Sequence, residues 1–206
     1  MKYRLASLTL SLLLAAQAQA DGLIEGSAEN GKARAITCGA CHGADGNSVN
    51  PVWPSIAGQN ATYLVEQLRA FKKGDRSNVL MTAQAMSLSE QDMADLAVYY
   101  SEQAAAPRAV ADASTVEKGA ALYRGGSKED GIPACMACHG PTGKGNPAAS
   151  YPKIAGQYAT YTAATLAAYA SGERKSDGTT KVMRDIASAM TPDQMQAVAS
   201  YIQGLQ

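Results

Sequence analysis

All 4 cysteines and both histidines of this 206-residue chain lie in two pentapeptides, Cys38-Gly39-Ala40-Cys41-His42 and Cys135-Met136-Ala137-Cys138-His139. Two thiols separated by two residues, with an imidazole directly after them, suit covalent attachment of haem. The sulfurs add to the porphyrin vinyl groups as thioethers and the adjacent histidine ligates the iron. The short spacing lets one turn deliver both sulfurs to the haem edge and bring the histidine beneath its face. A thioredoxin-like dithiol would want a βαβ setting and gives no reason for a histidine after each pair. A single zinc site would need its half-sites closer than the 97 residues that separate Cys38 from Cys135. With both pairs committed, no cysteine remains for a disulfide and no histidine for a catalytic base. The expectation is two covalently bound haem c groups, held by Cys38, Cys41, Cys135 and Cys138, with His42 and His139 on the irons.

The elements that must position these residues repeat along the chain. Trp53-Pro54-Ser55-Ile56-Ala57-Gly58-Gln59 is answered by Tyr151-Pro152-Lys153-Ile154-Ala155-Gly156-Gln157 at an offset of 98, which also pairs Tyr63 with Tyr161, Leu68 with Leu166, Phe71 with Tyr169 and Gly74 with Gly172. After a four-residue insertion the offset becomes 102, pairing Ser89 with Thr191, Met93 with Met195, Leu96 with Val198 and Tyr99 with Tyr201. A period near 100 residues means duplicated domains, since solenoid units are much shorter. Leu64, Leu68 and Phe71 follow a helical period that stops at Gly74, a good C-terminal residue. Ser89 with Asp92, and Thr191-Pro192 with Gln194, read as N-terminal caps. They open helices whose apolar stripes are Met93, Leu96, Ala97, Tyr100 and Met195, Val198, Ala199, Ile202. Strand signals are nearly absent. Each half is small for a self-sufficient core, so a buried porphyrin would supply much of the apolar contact. The alanine-rich stretch from Ser101 to Ala113, with Pro107, reads as the inter-domain connection.

No third histidine is available as a second axial ligand, and methionine is the soft partner that raises the potential. Met81 lies eight residues before the cap Ser89, and Met183 lies eight before Thr191. Met86 and Met190 break this register, at three and one residues before their caps, and Met93 and Met195 sit on apolar stripes and read as core. Met81 and Met183 are therefore the expected axial ligands. Pro54 follows His42 by twelve residues and Pro152 follows His139 by thirteen. Each offers a carbonyl without a competing N–H for the ring nitrogen that does not face the iron, although ordinary turn prolines are the competing reading. Trp53 and Tyr151 read equally as haem-edge residues and as packing.

Lys2 and Arg4 precede an apolar run from Leu5 to Ala16, and Ala18-Gln19-Ala20 forms a small-residue cleavage site, so residues 1–20 read as a secretory signal peptide. Loss of those two basic residues from the 18 leaves 16 against 18 acidic ones, and the bases are scattered rather than clustered, which argues against nucleic acid as a partner. No later segment approaches a membrane-spanning length.

The two Cys-x-x-Cys-His segments, the Pro-x-Ile-Ala-Gly-Gln repeats, the positions of Met81 and Met183 and the terminal Ser-Tyr-Ile-Gln-Gly-Leu stretch resemble the diheme cytochrome c4 family across essentially the whole chain after the leader. The resemblance implies an all-α protein of two tandem cytochrome c-like domains, each wrapped around a covalent haem, with a signal peptide over 1–20, domain 1 over 21–103, a linker over 104–114 and domain 2 over 115–206. It implies ligand pairs His42 with Met81 and His139 with Met183, with the Pro54 and Pro152 carbonyls receiving the histidine hydrogen bonds. The expected activity is one-electron transfer in the periplasm between redox protein partners such as a cytochrome reductase and a terminal oxidase. Neither a small-molecule substrate nor a catalytic residue is expected, and peripheral association with a membrane complex is compatible with this reading. A diheme peroxidase would want a further histidine and a thiosulfate dehydrogenase a distal cysteine, and the chain has neither to spare. The competing reading is a diheme subunit serving a periplasmic dehydrogenase, such as a flavocytochrome sulfide dehydrogenase.

Overall fold

The computed structural model describes residues 22–206, so the leader expected over 1–20 lies outside them. Five helices form the first half: α1 (Ala28–Arg34), α2 (Ile36–His42), α3 (Ala61–Lys73), α4 (Val79–Met86) and α5 (Glu90–Ser101). After an irregular segment and a single 3₁₀ turn (Ala113–Thr115), the same order returns as α6 (Val116–Gly125), α7 (Met136–His139), α8 (Ala159–Ala170), α9 (Val182–Ser188) and α10 (Pro192–Gly204). Among the described residues the only extended pairings are two isolated bridges, Ser127 with Ile132 and Asn146 with Tyr151, so the all-α expectation holds. No helix among them is long and apolar enough to cross a membrane.

The caps read from sequence close both terminal helices. The Ser89 hydroxyl accepts from the Asp92 N–H while the Asp92 carboxylate accepts from the Ser89 N–H, and Thr191 and Gln194 make the same reciprocal pair with Pro192 in the first turn. The helix α3 stops at Gly74 in the left-handed region, at φ 84°. In each half the first helix crosses the last, α1 on α5 and α6 on α10. The crossing is close because a glycine sits at each: a Cβ at Gly31 would run into the Asp95 carbonyl oxygen, and one at Gly119 into that of Ala197.

The core follows the predicted stripes. Met93, Leu96, Ala97 and Tyr100 are buried in the first half, and Met195, Val198, Ala199 and Ile202 in the second, where Tyr123, Leu166 and Tyr169 join them. Buried clusters in the first half are smaller and split, one around Ala35, Leu96 and Tyr100 and another around Ala61, Val65 and Ala97.

The halves meet through polar contacts that exchange like for like. Arg174 donates to the Tyr63 hydroxyl and to Gln67 Oε1, each at 2.8 Å, while Arg76 donates to the Tyr161 hydroxyl at 2.7 Å and to the same Gln67 oxygen at 3.0 Å. Each guanidinium lies over a ring of its own half, Arg76 on Phe71 and Arg174 on Tyr169. The connecting segment is tied down as well. Arg108 stacks on Tyr158 and donates to the Gly156 carbonyl and the Ser55 hydroxyl.

Candidate haem centres

The helix α2 carries Cys38, Cys41 and His42 on little more than one turn and ends at Gly43, at φ 83°. In the second half Cys135 caps the four-residue α7, which carries Cys138 and His139 and ends at Gly140, at φ 77°. All four thiols are free and half-buried. Burial pushes the Cys38 thiol up and takes Cys135 to about 11, away from the lowered values that activate a redox dithiol.

Both imidazoles are buried, and each is fixed by the proline carbonyl singled out in the sequence: His42 Nδ1 lies 2.8 Å from the Pro54 oxygen and His139 Nδ1 lies 3.0 Å from that of Pro152. A carbonyl can only accept, so Nδ1 carries the proton and Nε2 keeps its lone pair. Burial lowers the pKa of both rings against the opposing pull of the proline bond, and the positive charge of Arg76 adds to the lowering at His42. Each ring is thus held neutral, in one tautomer, with its coordinating nitrogen free.

The methionines sort as follows. Met81 is half-buried in the first turn of α4, where the Asn78 side chain accepts its backbone N–H at 3.0 Å. Met183 is half-buried in the first turn of α9, packed with Cys135 against the second core. Met86 points outward, 57% exposed, while Met93, Met190 and Met195 are buried in the cores. Tyr151 lies beside His139, with ring centroids 6.5 Å apart, and Trp53 is half-buried.

The residues present fit haem. Two free thiols, a neutral imidazole with an available Nε2 and a half-buried thioether recur in each half. Arg174, itself buried, and the half-buried Arg76 meet hydroxyl and amide partners and no carboxylate within ion-pair distance among the described residues, a pair of positive charges that suits a group bearing carboxylates. Sequence reasoning passed over these arginines and the roles of Gln59 and Gln157. The signals were present, as Gly74-Asp75-Arg76 against Gly172-Glu173-Arg174 and as the repeated Ile-Ala-Gly-Gln.

Comparison with known proteins gives the same picture. The family model "Cytochrome c" matches residues 28–102 and again 116–206. The chain is 44% identical over 201 residues to the protein named cytochrome c4 of Pseudomonas aeruginosa, covering 98% of both chains. It is 40% identical over 195 residues to a protein of Stutzerimonas stutzeri named thiosulfate dehydrogenase electron acceptor, covering 93% of this chain and 89% of that one. Its fold matches the crystal structure of reduced recombinant cytochrome c4 from Pseudomonas stutzeri with a TM-score of 0.86 at 41% identity, covering 88% of this chain and all of that one.

Proposed function

From the premise that this chain belongs to the cytochrome c family, as a two-domain electron-transfer protein of the cytochrome c4 kind with two covalent haem c groups and no enzymatic role, we propose that it carries single electrons between respiratory proteins of the periplasm. When bound, haem supplies a one-electron couple at its iron. The chain does the rest. Cys38 and Cys41, and Cys135 and Cys138, anchor the group at its edge. His42 and His139 present a neutral Nε2 in fixed orientation, and Met81 and Met183 are the thioethers that would hold the iron with them. Held between these side chains, the bound group would have no position left for a substrate, and the chain's part would be to keep it insulated and to dock a protein partner.

The observation that carries this reading is the pair of buried imidazoles, each pinned at Nδ1 by a proline carbonyl directly after two free thiols. In this reading domain 1 spans 21–103, the linker 104–114 and domain 2 115–206, behind a cleaved leader over 1–20. For partners, the electrons pass from a cytochrome reductase to a terminal oxidase. The relative named for accepting electrons from thiosulfate dehydrogenase favours a second source, a periplasmic dehydrogenase. Two measurements test the proposal. Mass spectrometry of the denatured exported protein should give the chain from Asp21 plus two haem masses. The reduced protein should then be oxidised rapidly by membranes containing a terminal oxidase, while turning over neither peroxide nor thiosulfate by itself. Turnover of either by the isolated, fully ligated protein would overturn the carrier assignment.

A further inference from the structure

Two glutamines reach across the interface to the peptide that holds the opposite histidine. Gln157, in the second half, receives the Ser55 N–H on Oε1 at 3.1 Å and donates Nε2 to the Ser55 carbonyl at 2.9 Å. Gln59, in the first half, receives the Lys153 N–H at 2.8 Å and donates to the Lys153 carbonyl at 2.7 Å. Each amide is oriented from its own side as well, since the Gln157 oxygen also accepts the Tyr158 N–H and the Gln59 oxygen the Asn60 N–H. An oxygen receiving two N–H groups and a nitrogen facing a carbonyl leave one assignment for each amide.

Ser55 N–H and Pro54 C=O are the two ends of one peptide unit, as are Lys153 N–H and Pro152 C=O. The bonds therefore form a continuous chain, from His42 Nδ1–H to the Pro54 oxygen, through the amide, and from the Ser55 N–H to Gln157. The mirror chain runs from His139 through the Pro152–Lys153 amide to Gln59. Neighbouring hydrogen bonds polarise one another, strengthening each by roughly 10–30%. An amide whose N–H is engaged carries more negative charge on its oxygen, and that oxygen draws harder on the imidazole N–H. The ring becomes a more basic ligand, which favours the more positive, oxidised metal.

We propose that Gln59 and Gln157 are positioning residues acting in trans, each setting the ligand strength of the histidine in the other domain and so the potential of the other haem. This rests on the assignment of His42 and His139 as iron ligands. The test is Gln157→Met and Gln59→Met in the holoprotein, each close to isosteric but unable to make the clamp. Gln157→Met should raise the midpoint potential of the domain 1 haem and leave that of domain 2 in place, and Gln59→Met should do the reverse. The hyperfine-shifted ring signals of His42 in the first variant, and of His139 in the second, should move in the oxidised-state NMR spectrum. A purely structural role would not move one ring and spare the other. Unchanged trans potentials, or equal shifts of both haems, would overturn the proposal. So would rapid hydrogen exchange at the Ser55 and Lys153 amides of the unaltered protein, a measurement that needs no variant to fold. A wild-type spectrum in which the His42 or His139 ring has no hyperfine shift would overturn the ligand assignment itself, a failure distinct from loss of the trans effect.

Discussion

The lone pair on Nε2 of each histidine is made available by a contact on the far side of the ring, where a proline carbonyl holds the Nδ1 proton. That contact was legible in the sequence because proline offers a carbonyl without an N–H, and the spacing from the histidine is nearly the same in both halves. The choice of Met81 and Met183 rests on counting the repeat, since one copy alone holds three candidates near the right place. The structure adds that Met86 faces outward and that Met190 is core. We therefore expect Met81→Ala and Met183→Ala each to abolish one sulfur-to-iron charge-transfer signal and lower one of the two potentials, leaving the other haem largely unchanged. The near-infrared spectrum and a redox titration check this. The same loss from Met86→Ala or Met190→Ala would show the register argument to be wrong.

Helices whose ends carry their own signal were readable, and those whose limits depend on distant contacts were not. The terminal helices α5 and α10 begin at capping boxes written in four consecutive residues, and they begin where those residues say. The brevity of α7, only four residues against seven in α2, has no local signal. The glycine crossings were equally silent, because what forbids a side chain at Gly119 is the carbonyl of Ala197 on another helix. Two substitutions separate these effects. Thr191→Ala removes one cap and should cost about 1 kcal/mol. Gly119→Ala forces α6 away from α10 and should cost about 3 kcal/mol, the upper end of overpacking penalties. Denaturant unfolding of the holoprotein should rank them in that order. A Gly119→Ala protein as stable as the parent would mean that the two helices can separate freely.

Across the whole molecule the interface exchanges equivalent residues: Arg76 reaches Tyr161 as Arg174 reaches Tyr63, and Gln59 reaches Lys153 as Gln157 reaches Ser55. Contacts in which residue i meets j′ and j meets i′ are the signature of an isologous, twofold interface between identical subunits. The two halves are in that sense a homodimer joined head to tail by a peptide, and these exchanged contacts lie outside the segment that joins them. A short tether supplies an effective concentration in roughly the millimolar range, and here the segment adds the contacts of Arg108 with Ser55, Gly156 and Tyr158. Cutting the chain at an inserted protease site beside the exposed Ala105 should thus leave two haem-bearing pieces that still travel together in size-exclusion chromatography at micromolar concentration. Their separation on dilution would report the affinity that two free copies of such a domain would need in order to pair before any tether existed.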